Sequence, residues 1–536
     1  MALMFRQANI THTMINLRAI SQKFPGRLSK VDLWAYTLIA GSLVLCLGWV
    51  FYTGYIEEDA FITFRFARQI AAGNGFVYNN GERIYGTTTP LLTLLLSGWL
   101  KLFSTDIVTG ARILNICAYI GTFFFTWRTL RTLQRPAAEQ LFVLTALLSS
   151  MKLLHLSMQG MEMPLVTFLM SASWYACTKG NWKWTGFLCG LLLWTRIDLL
   201  FWPAALIIVL GLHSRKNAAT VAAFTALTYL PWVMFANEYF GSPIPYTVTA
   251  KWVAYNYQNH SSYLSHLVKI LKYLTPFYKT GDDFFLGQSI TLGIFAWTVW
   301  RGQITREANI LVILVFIIVE VGRLTLTRET IFNRYFMPLL WASLVFVGIG
   351  LGMLWGRLKN VRIFNHLFLV FLALTLFAVI GSGLSFAKSA NMYQKNRFEN
   401  SLAAIGLWLY QNSAPQSTVL LEPLGYVGYY SERHMIDEVG LVTPEVVKLK
   451  LQEVPSDLYT AFFHPDYVIQ HCDDALRMLS TQETRLAEEY VLAREYNPLA
   501  FDPATPGQPP DPDGLRRSSC YQIWQKQTLA FSKGKP

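Results

Sequence analysis

Glu57-Glu58-Asp59-Ala60-Phe61-Ile62-Thr63 stands just beyond the first long apolar run of the chain, Leu33 to Tyr52. That run carries no charge and is long enough to cross a bilayer, so the three carboxylates fall where the emerging chain meets the membrane–water boundary. Ionisable side chains beside a bilayer are disfavoured unless they serve a site. An aromatic and glycine-rich segment follows, Gly73-Asn74-Gly75-Phe76-Val77-Tyr78-Asn79-Asn80-Gly81-Glu82-Arg83, and then Gly86-Thr87-Thr88-Thr89-Pro90-Leu91. The loop 54–110 is therefore expected to carry the functional site, with later loops closing over it.

Composition sets the class around this loop. The 536 residues are 53% hydrophobic and only 15% charged, with a mean hydropathy of +0.31. Soluble domains carry more charge, and about twelve apolar runs recur between 33 and 386, so the chain reads as a polytopic α-helical membrane protein. The net charge of +12 does not point to nucleic acid. The basic residues gather between apolar runs, at Arg6/Arg18/Lys23/Arg27/Lys30, Arg128/Arg131/Arg135, Lys179/Lys183, Arg215/Lys216, Arg301/Arg306 and Arg357/Lys359/Arg362, as the positive-inside rule requires. The first run is too long for a signal-peptide core and no small-residue cleavage site follows it, so it reads as a retained helix.

If every run crossed, these clusters would alternate between sides. Removing 91–103, a short run that contains Lys101 and begins after Pro90, brings all of them to the cytoplasm. That run reads as a helix lying at the outer surface. About eleven spans remain, with the N-terminus inside and the C-terminus outside. Every unusual polar motif of the membrane part then falls on the outer face, in 57–110, 159–163, 196–199, 237–285 and 325–334.

From about Lys388 charges and prolines become frequent, and Thr418-Val419-Leu420-Leu421 and Tyr467-Val468-Ile469-Gln470 read as short strands. The chain thus divides into a membrane part, 1–387, and an extracytoplasmic α+β domain, 388–536, entered through a helix over Ala390–Trp408 and holding a loop at Pro506–Asp513. Cys46, Cys117, Cys177 and Cys189 lie in apolar runs as core residues, whereas Cys472 and Cys520 lie in the outer domain, where a disulfide is permitted.

Glu58 and Asp59 are adjacent, so on a turn or helix they point in different directions: one can face a reacting hydroxyl while the other orients a partner or a cation. A dry site would raise a carboxylate pKa, which suits a general base. An isolated acidic cluster can also be a solvated loop tip. Adjacent acids admit Mg²⁺ or Mn²⁺, and one acid can equally act without metal, so a cofactor is open at this point.

The flanking pattern resembles the first periplasmic loop of GT-C-type glycosyltransferases that use polyprenyl-phosphate sugars, in particular the mycobacterial terminal arabinofuranosyltransferase of cell-wall arabinan and its bacterial relatives. The resemblance lies in Glu58-Asp59-Ala60-Phe61-Ile62-Thr63 with Arg65 and Arg68, Gly73-Asn74-Gly75, Tyr78-Asn79, Gly81-Glu82-Arg83 and Gly86-Thr87-Thr88-Thr89-Pro90-Leu91. It continues through Gly160-Met161-Glu162-Met163-Pro164-Leu165, Arg196-Ile197-Asp198, Gly241-Ser242-Pro243-Ile244-Pro245-Tyr246-Thr247 with Ala250-Lys251, Arg334-Tyr335-Phe336-Met337-Pro338, and Asp437-Glu438-Val439-Gly440-Leu441. It covers roughly 50–450. Glu58 in place of an aspartate and Ile197 in place of a common proline are departures that bear on the sugar more than on the chemistry.

The resemblance implies a GT-C membrane bundle in the bacterial inner membrane, with its C-terminal domain in the periplasm. It would move a sugar, a pentose such as arabinofuranose, from a polyprenyl-phosphate donor to an extracytoplasmic glycan, lipid or protein. Asp59 would be the catalytic carboxylate with Glu58 supporting it. Lys251, Arg334 and Arg196 would hold the donor phosphate, since a lipid phosphate needs cations at headgroup depth. Arg65, Tyr78, Asn79, Thr88, Glu162, Asp198, Tyr246 and Tyr335 would line the substrate. Taken singly, each cation could instead snorkel to membrane lipid phosphates, and Glu162 and Asp198 could be solvated helix ends.

Glu320 and Arg323 stand three apart and are expected to pair. His155 and His260 show no ligand spacing for zinc. The aromatic run Trp252–Tyr263 reads as an interfacial belt or a sugar-stacking platform. The alternative from another class is a polytopic lipid or saccharide transporter or flippase, whose charges should spread through the bilayer depth rather than gather on one side. A membrane anchor for a C-terminal binding module would not need the first-loop motif.

Overall fold

Ser29 starts the first helix. Its hydroxyl accepts the Asp32 N–H while the Asp32 carboxylate accepts the Ser29 N–H, a capping box. Helix α1 then runs over Lys30–Thr53 and stops at Gly54, which adopts the left-handed conformation that glycine tolerates. The computed structural model describes residues 29–103, 105–256, 262–273, 293–294, 296–298, 308–328, 332–360, 381, 383–475, 486–499 and 515–532.

Helices α2 (Ala60–Ala71) and α3 (Pro90–Phe103) follow, then α4 (Ile107–Thr132). Asp32, at the start of α1, pairs with Arg131 near the end of α4 at 2.5 Å. At the opposite end Arg112, early in α4, donates to the Gly54 carbonyl at 2.7 Å. The two helices are therefore antiparallel, and everything between Gly54 and Asp106 leaves and returns at one end of the pair. With 14 residues, α3 is about 21 Å long, short of the roughly 30 Å hydrocarbon layer.

Among the described residues five helices are long and apolar enough to cross a membrane: Lys30–Thr53, Ile107–Thr132, Arg215–Phe240, Asn309–Thr327 and Asn333–Leu358. A sixth span arises if α5 (Ala137–Ser149) and α6 (Met151–Ser157), bent by 63°, are one broken element. Helices α7 (Met163–Thr178), α8 (Trp182–Thr195) and α9 (Phe201–Gly211) occupy three more of the expected runs, with 16, 14 and 11 residues. The turn at Lys179-Gly180 and the extended backbone of Arg196 cut these runs short. The expectation of eleven spans thus meets five or six long helices here. The runs 286–300 and 364–386 fall largely outside the described residues, as do the tail 1–28, Arg301/Arg306, Arg362, His260 and the loop Pro506–Asp513.

Helix α10 (Arg215–Phe240), α11 (Tyr246–Lys251), α12 (Tyr263–Tyr273), α13 (Ala308–Thr327) and α14 (Met337–Leu358) complete the described bundle. Helix α14 sits at its centre, buried from Met337 through Phe346. Gly348 and Gly352 leave no room for a Cβ against the Val143 and Glu139 backbone of α5, the close approach that small residues four apart permit. Trp341 meets Trp174 and Trp202 edge-on, with ring centres 6.1 and 5.7 Å apart. Each indole finds a partner, Thr126, Asn309 and Ser173 respectively, so no donor of this aromatic centre is left bare.

The chain then builds a five-stranded sheet from β1 (Thr418–Leu421), β2 (His434–Asp437), β3 (Tyr467–His471), β4 (Tyr490–Tyr496) and β5 (Tyr521–Lys526), in the order β2-β1-β3-β5-β4. Strand β1 pairs in parallel with both β2 and β3, and the remaining pairs are antiparallel. A disulfide joins Cys472, just after β3, to Cys520, just before β5.

Helix α2 fills the seam between bundle and sheet, and its residues from Ala60 to Ala67 are all buried. Phe61 packs on Tyr426 with ring centres 3.9 Å apart. The guanidinium of Arg65 donates to three backbone carbonyls, those of Tyr78 (2.9 Å), Gly428 (2.6 Å) and Arg433 (2.7 Å). Asn79 exchanges two bonds with the Met435 backbone, and the Tyr78 hydroxyl donates to the Leu424 carbonyl. The first loop is thereby fastened to the C-terminal domain.

Candidate active site

Asp59 is the N-cap residue of α2, yet its carboxylate makes no capping bond. It turns instead to Arg334, with which it forms an ion pair. Arg334 arrives on a single 3₁₀ turn, Asn333–Phe336, that leads into α14. Lys251, the last residue of α11, lines the same cavity and sends its ammonium to the Tyr335 hydroxyl at 3.4 Å.

Arg196 occupies the break between α8 and α9. It binds Asp198 through two bonds of 2.9 and 2.7 Å, donates to Glu162 at 2.8 Å, and lies 4.5 Å above the Tyr335 ring. Asp59, Thr88, Glu162, Arg196, Lys251, Arg334 and Tyr335 thus line one small cavity of about 40 Å³. A neighbouring cavity of 140 Å³ shares Thr88, Arg196, Lys251 and Tyr335 and adds Asp198, Tyr255 and Arg323. On the other side of Arg334 a cavity of 540 Å³ is lined by Glu57, Lys152, His155, Phe332 and Tyr393.

The adjacent acids have different anchors. Glu58 accepts the Gly425 N–H from the C-terminal domain, whose backbone lies so close that only glycine fits there. Glu57 accepts the Tyr55 hydroxyl at 3.0 Å. Burial raises the pKa of Glu58 well above the usual carboxylate range, and the charges of Asp59 and Glu422 add to it. Burial also raises Glu57, against the pull of Arg334. Burial alone would raise Asp59 too, but the charges of Arg334 and Lys251 outweigh it and hold this carboxyl below its ordinary value. The expected raised base is therefore corrected: Glu57 and Glu58 bind protons more tightly, while Asp59 stays ionised because two cations from distant segments face it.

Of the residues expected to bind substrate, Thr88, Glu162, Asp198 and Tyr335 lie at these cavities. Arg65, Tyr78 and Asn79 do not line them. Their polar groups are engaged with backbone of the loop and the C-terminal domain, so they hold the loop in place. Tyr246 sits aside as well, with its N–H on the Tyr85 carbonyl and its hydroxyl 3.4 Å from the Pro444 carbonyl. Arg196 differs from its expected role in one respect: its donors are directed at Glu162 and Asp198 rather than left for a phosphate.

Glu320 and Arg323 pair at 2.6 Å, and Arg323 also borders the cavity beside Asp198. The aromatic run begins as a π-helical turn, Trp252–Asn256, whose Tyr255 meets Phe332 edge-on at the cavity. Residues 257–261 lie outside the described residues. Sequence reasoning missed Glu57, Arg397 and Glu422 as participants. Glu57 was visible in the acidic triplet, whereas Arg397 and Glu422 sit in no motif and act only through the fold. Among the described residues, the one group of three His, Cys, Asp or Glu side chains close enough to share a metal ion is Glu495 with the two disulfide cysteines.

No curated protein matches this chain in sequence. Residues 390–524 match a family described only as a domain of unknown function, DUF8728. Among solved structures, ArnT from Cupriavidus metallidurans bound to undecaprenyl phosphate aligns at 15% identity over 91% of this chain and 98% of its own, with a TM-score of 0.59. The apo form of ArnT aligns at 13% identity over 92% and 98%, with a TM-score of 0.58. Arabinofuranosyltransferase AftD from Mycobacteria aligns at 13% identity over 93% of this chain and 40% of its own, with a TM-score of 0.47. The likeness to ArnT spans nearly the whole of both chains: this protein shares the fold of ArnT.

Proposed function

We propose that this protein is a membrane glycosyltransferase that moves a sugar from a polyprenyl-phosphate donor to an acceptor hydroxyl at the outer face of a bacterial inner membrane. The observation that carries this reading is the meeting of Asp59 with Arg334, Lys251 and Tyr335, four side chains from three separate segments, in one cavity at the edge of the bundle. The ArnT fold, solved with undecaprenyl phosphate, supports a lipid-phosphate donor. Arg334 and Lys251 are the cations to bind that phosphate, and Arg196, fixed by Glu162 and Asp198, stacks on Tyr335 and positions it.

In the chemical step the acceptor oxygen attacks the anomeric carbon, the bond from that carbon to the phosphate oxygen breaks, and polyprenyl phosphate leaves with both electrons. Asp59 takes the hydroxyl proton. Once donor phosphate lies against Arg334 and Lys251, their charges are shared, and Asp59 becomes a stronger base than in the empty site. A pentose such as arabinofuranose is the donor sugar to test first, on the strength of the first-loop motif alone, with glycan, lipid and protein as acceptors. The extracytoplasmic placement of 388–536 belongs to the same proposal.

Asp59 with the donor phosphate could share a single Mg²⁺ or Mn²⁺ in place of direct Arg–phosphate contact. Purified protein in lipid nanodiscs, given labelled polyprenyl-phosphate pentose with and without chelator, decides both points. Transfer in chelator assigns the charge to Arg334 and Lys251. Absence of transfer from any polyprenyl-phosphate sugar, with or without added metal, ends the reading.

A further inference from the structure

The C-terminal sheet contains a crevice that the site above does not use. Strand β1 has a parallel neighbour on each side, reached by connections that leave it in opposite directions, first to β2 and then back across to β3. In open sheets of this kind ligands settle outside the carboxyl ends of the strands where the direction reverses. Here that position is a cavity of 300 Å³, near the lower bound of small-molecule sites. Glu422 follows β1, Glu438 follows β2, and Gln470 and His471 end β3, so three strand ends supply its wall. Arg397 and Tyr521 close it.

Two atoms of that wall ask for a ligand. The Tyr521 side chain is fully buried, and its hydroxyl faces the Arg397 guanidinium without a well-formed hydrogen bond. The Nε of Arg397, in the same wall, is also buried and unpartnered. A buried polar group short of good partners is disfavoured, so such atoms mark a place where a bound molecule would complete them.

The chemistry of the wall selects the molecule. Glu422, Asp457 and Asp474 repel an anion. The same acids do not converge on a cation: among the described residues, no three of these side chains bring ligand atoms within 4.8 Å of one another. Burial raises the Glu438 carboxyl to about 8, so at neutral pH it can donate as well as accept. Donors and acceptors distributed round a small polar space suit a neutral polyhydroxylated ring. The space is also near the reacting centre, since Glu422 is close enough to disturb the proton affinity of Glu58, and Asp59 in turn disturbs that of Glu422.

We propose that the crevice at the carboxyl end of the C-terminal sheet binds a sugar unit of the acceptor glycan. The inference rests on the glycosyl-transfer reading for the word acceptor, and on the crevice itself for the word sugar.

Saturation-transfer NMR on the full-length protein in nanodiscs, with methyl pentosides and methyl hexosides as probes, tests it. The wild type is expected to bind at least one of them. Tyr521→Phe, which removes only the buried hydroxyl, should weaken binding about two- to tenfold. Ser456→Trp, placed on the exposed rim, should block the crevice and abolish the signal without touching the core. Acceptor KM should rise in parallel while donor KM holds. Absence of sugar binding by the wild type, or binding indifferent to both variants, overturns the proposal, as does Mn²⁺ binding that both variants remove. Transfer that proceeds with both variants at wild-type acceptor KM would sink this inference and leave the function standing. Sugar binding lost in both variants of a protein that transfers nothing would do the reverse.

Discussion

At the scale of single residues the site turns on a division of labour between neighbours. Asp59→Asn keeps shape and hydrogen bonding but removes charge and basicity, so transfer should fall by about 10²–10⁴-fold in a purified assay while the protein still inserts. Glu58→Gln keeps an oxygen for the Gly425 N–H and should cost far less; equal losses would mean that the two roles are exchanged. The lowered Asp59 pKa also fixes a sign. In the free enzyme Asp59 is ionised down to below the ordinary carboxylate value near 3.9, and activity is lost only as pH falls through that lowered point. Donor phosphate shares the two cations and raises the same pKa. The acidic limb of kcat should therefore lie at higher pH than that of kcat/KM for donor, and coincident limbs would count against Asp59 as the base. Lys251→Ala should weaken donor use about ten- to a hundredfold at saturating acceptor, the worth of one charge-assisted bond of roughly 1.5–3 kcal/mol. Arg334→Ala should behave alike, and the double variant should lose less than the product, because both cations serve one phosphate. Asp59 was legible because its motif surrounds it in sequence. The lowered pKa was not, because Arg334 is 275 residues away and nothing local announces the pairing.

At the scale of elements α2 does two jobs: its N-terminus presents Asp59, and its middle ties the loop to the sheet. Arg65→Lys keeps the charge and loses the fork, since one ammonium cannot reach three carbonyls in a plane. Leaving buried carbonyls bare should cost about 1–3 kcal/mol in thermal unfolding and speed hydrogen exchange in 73–83. Unchanged exchange there would return Arg65 to the substrate. Sequence reading placed Arg65, Tyr78 and Asn79 at the substrate because their motif is continuous with that of Asp59. It could not see that their partners lie at 424–435. The strands at 418–421 and 467–471 fall where short β-branched and aromatic runs stood, since local composition decides strand formation. Their order in the sheet is a long-range matter and left no local trace.

At the scale of the whole molecule the antiparallel pairing of α1 and α4 governs which way everything faces. Cysteines introduced at Thr105 and at Asn80, both exposed, should react with a membrane-impermeant label from the same side, the side opposite the basic cluster at Arg215/Lys216. Labelling of Thr105 and Asn80 from opposite sides would show that α3 crosses and would invert the later motifs. Charge parity is what leads the sequence to keep α3 on one side, because cations are counted in loops and not in helices, and the antiparallel pairing of α1 with α4 is compatible with it. The number of spans was less legible: apolar runs do not show where a bend such as that between α5 and α6, or an extended residue such as Arg196, interrupts a helix. One feature of the first loop then acquires a mechanical meaning. Glu58 is moored to the sheet and Asp59 to the bundle, and only one peptide unit, about 3.8 Å between Cα atoms, lies between the moorings. The two bodies cannot separate or slide by much without tearing one acid from its anchor, so the spacing of domain and bundle is gauged at the very bond that bears the proposed base.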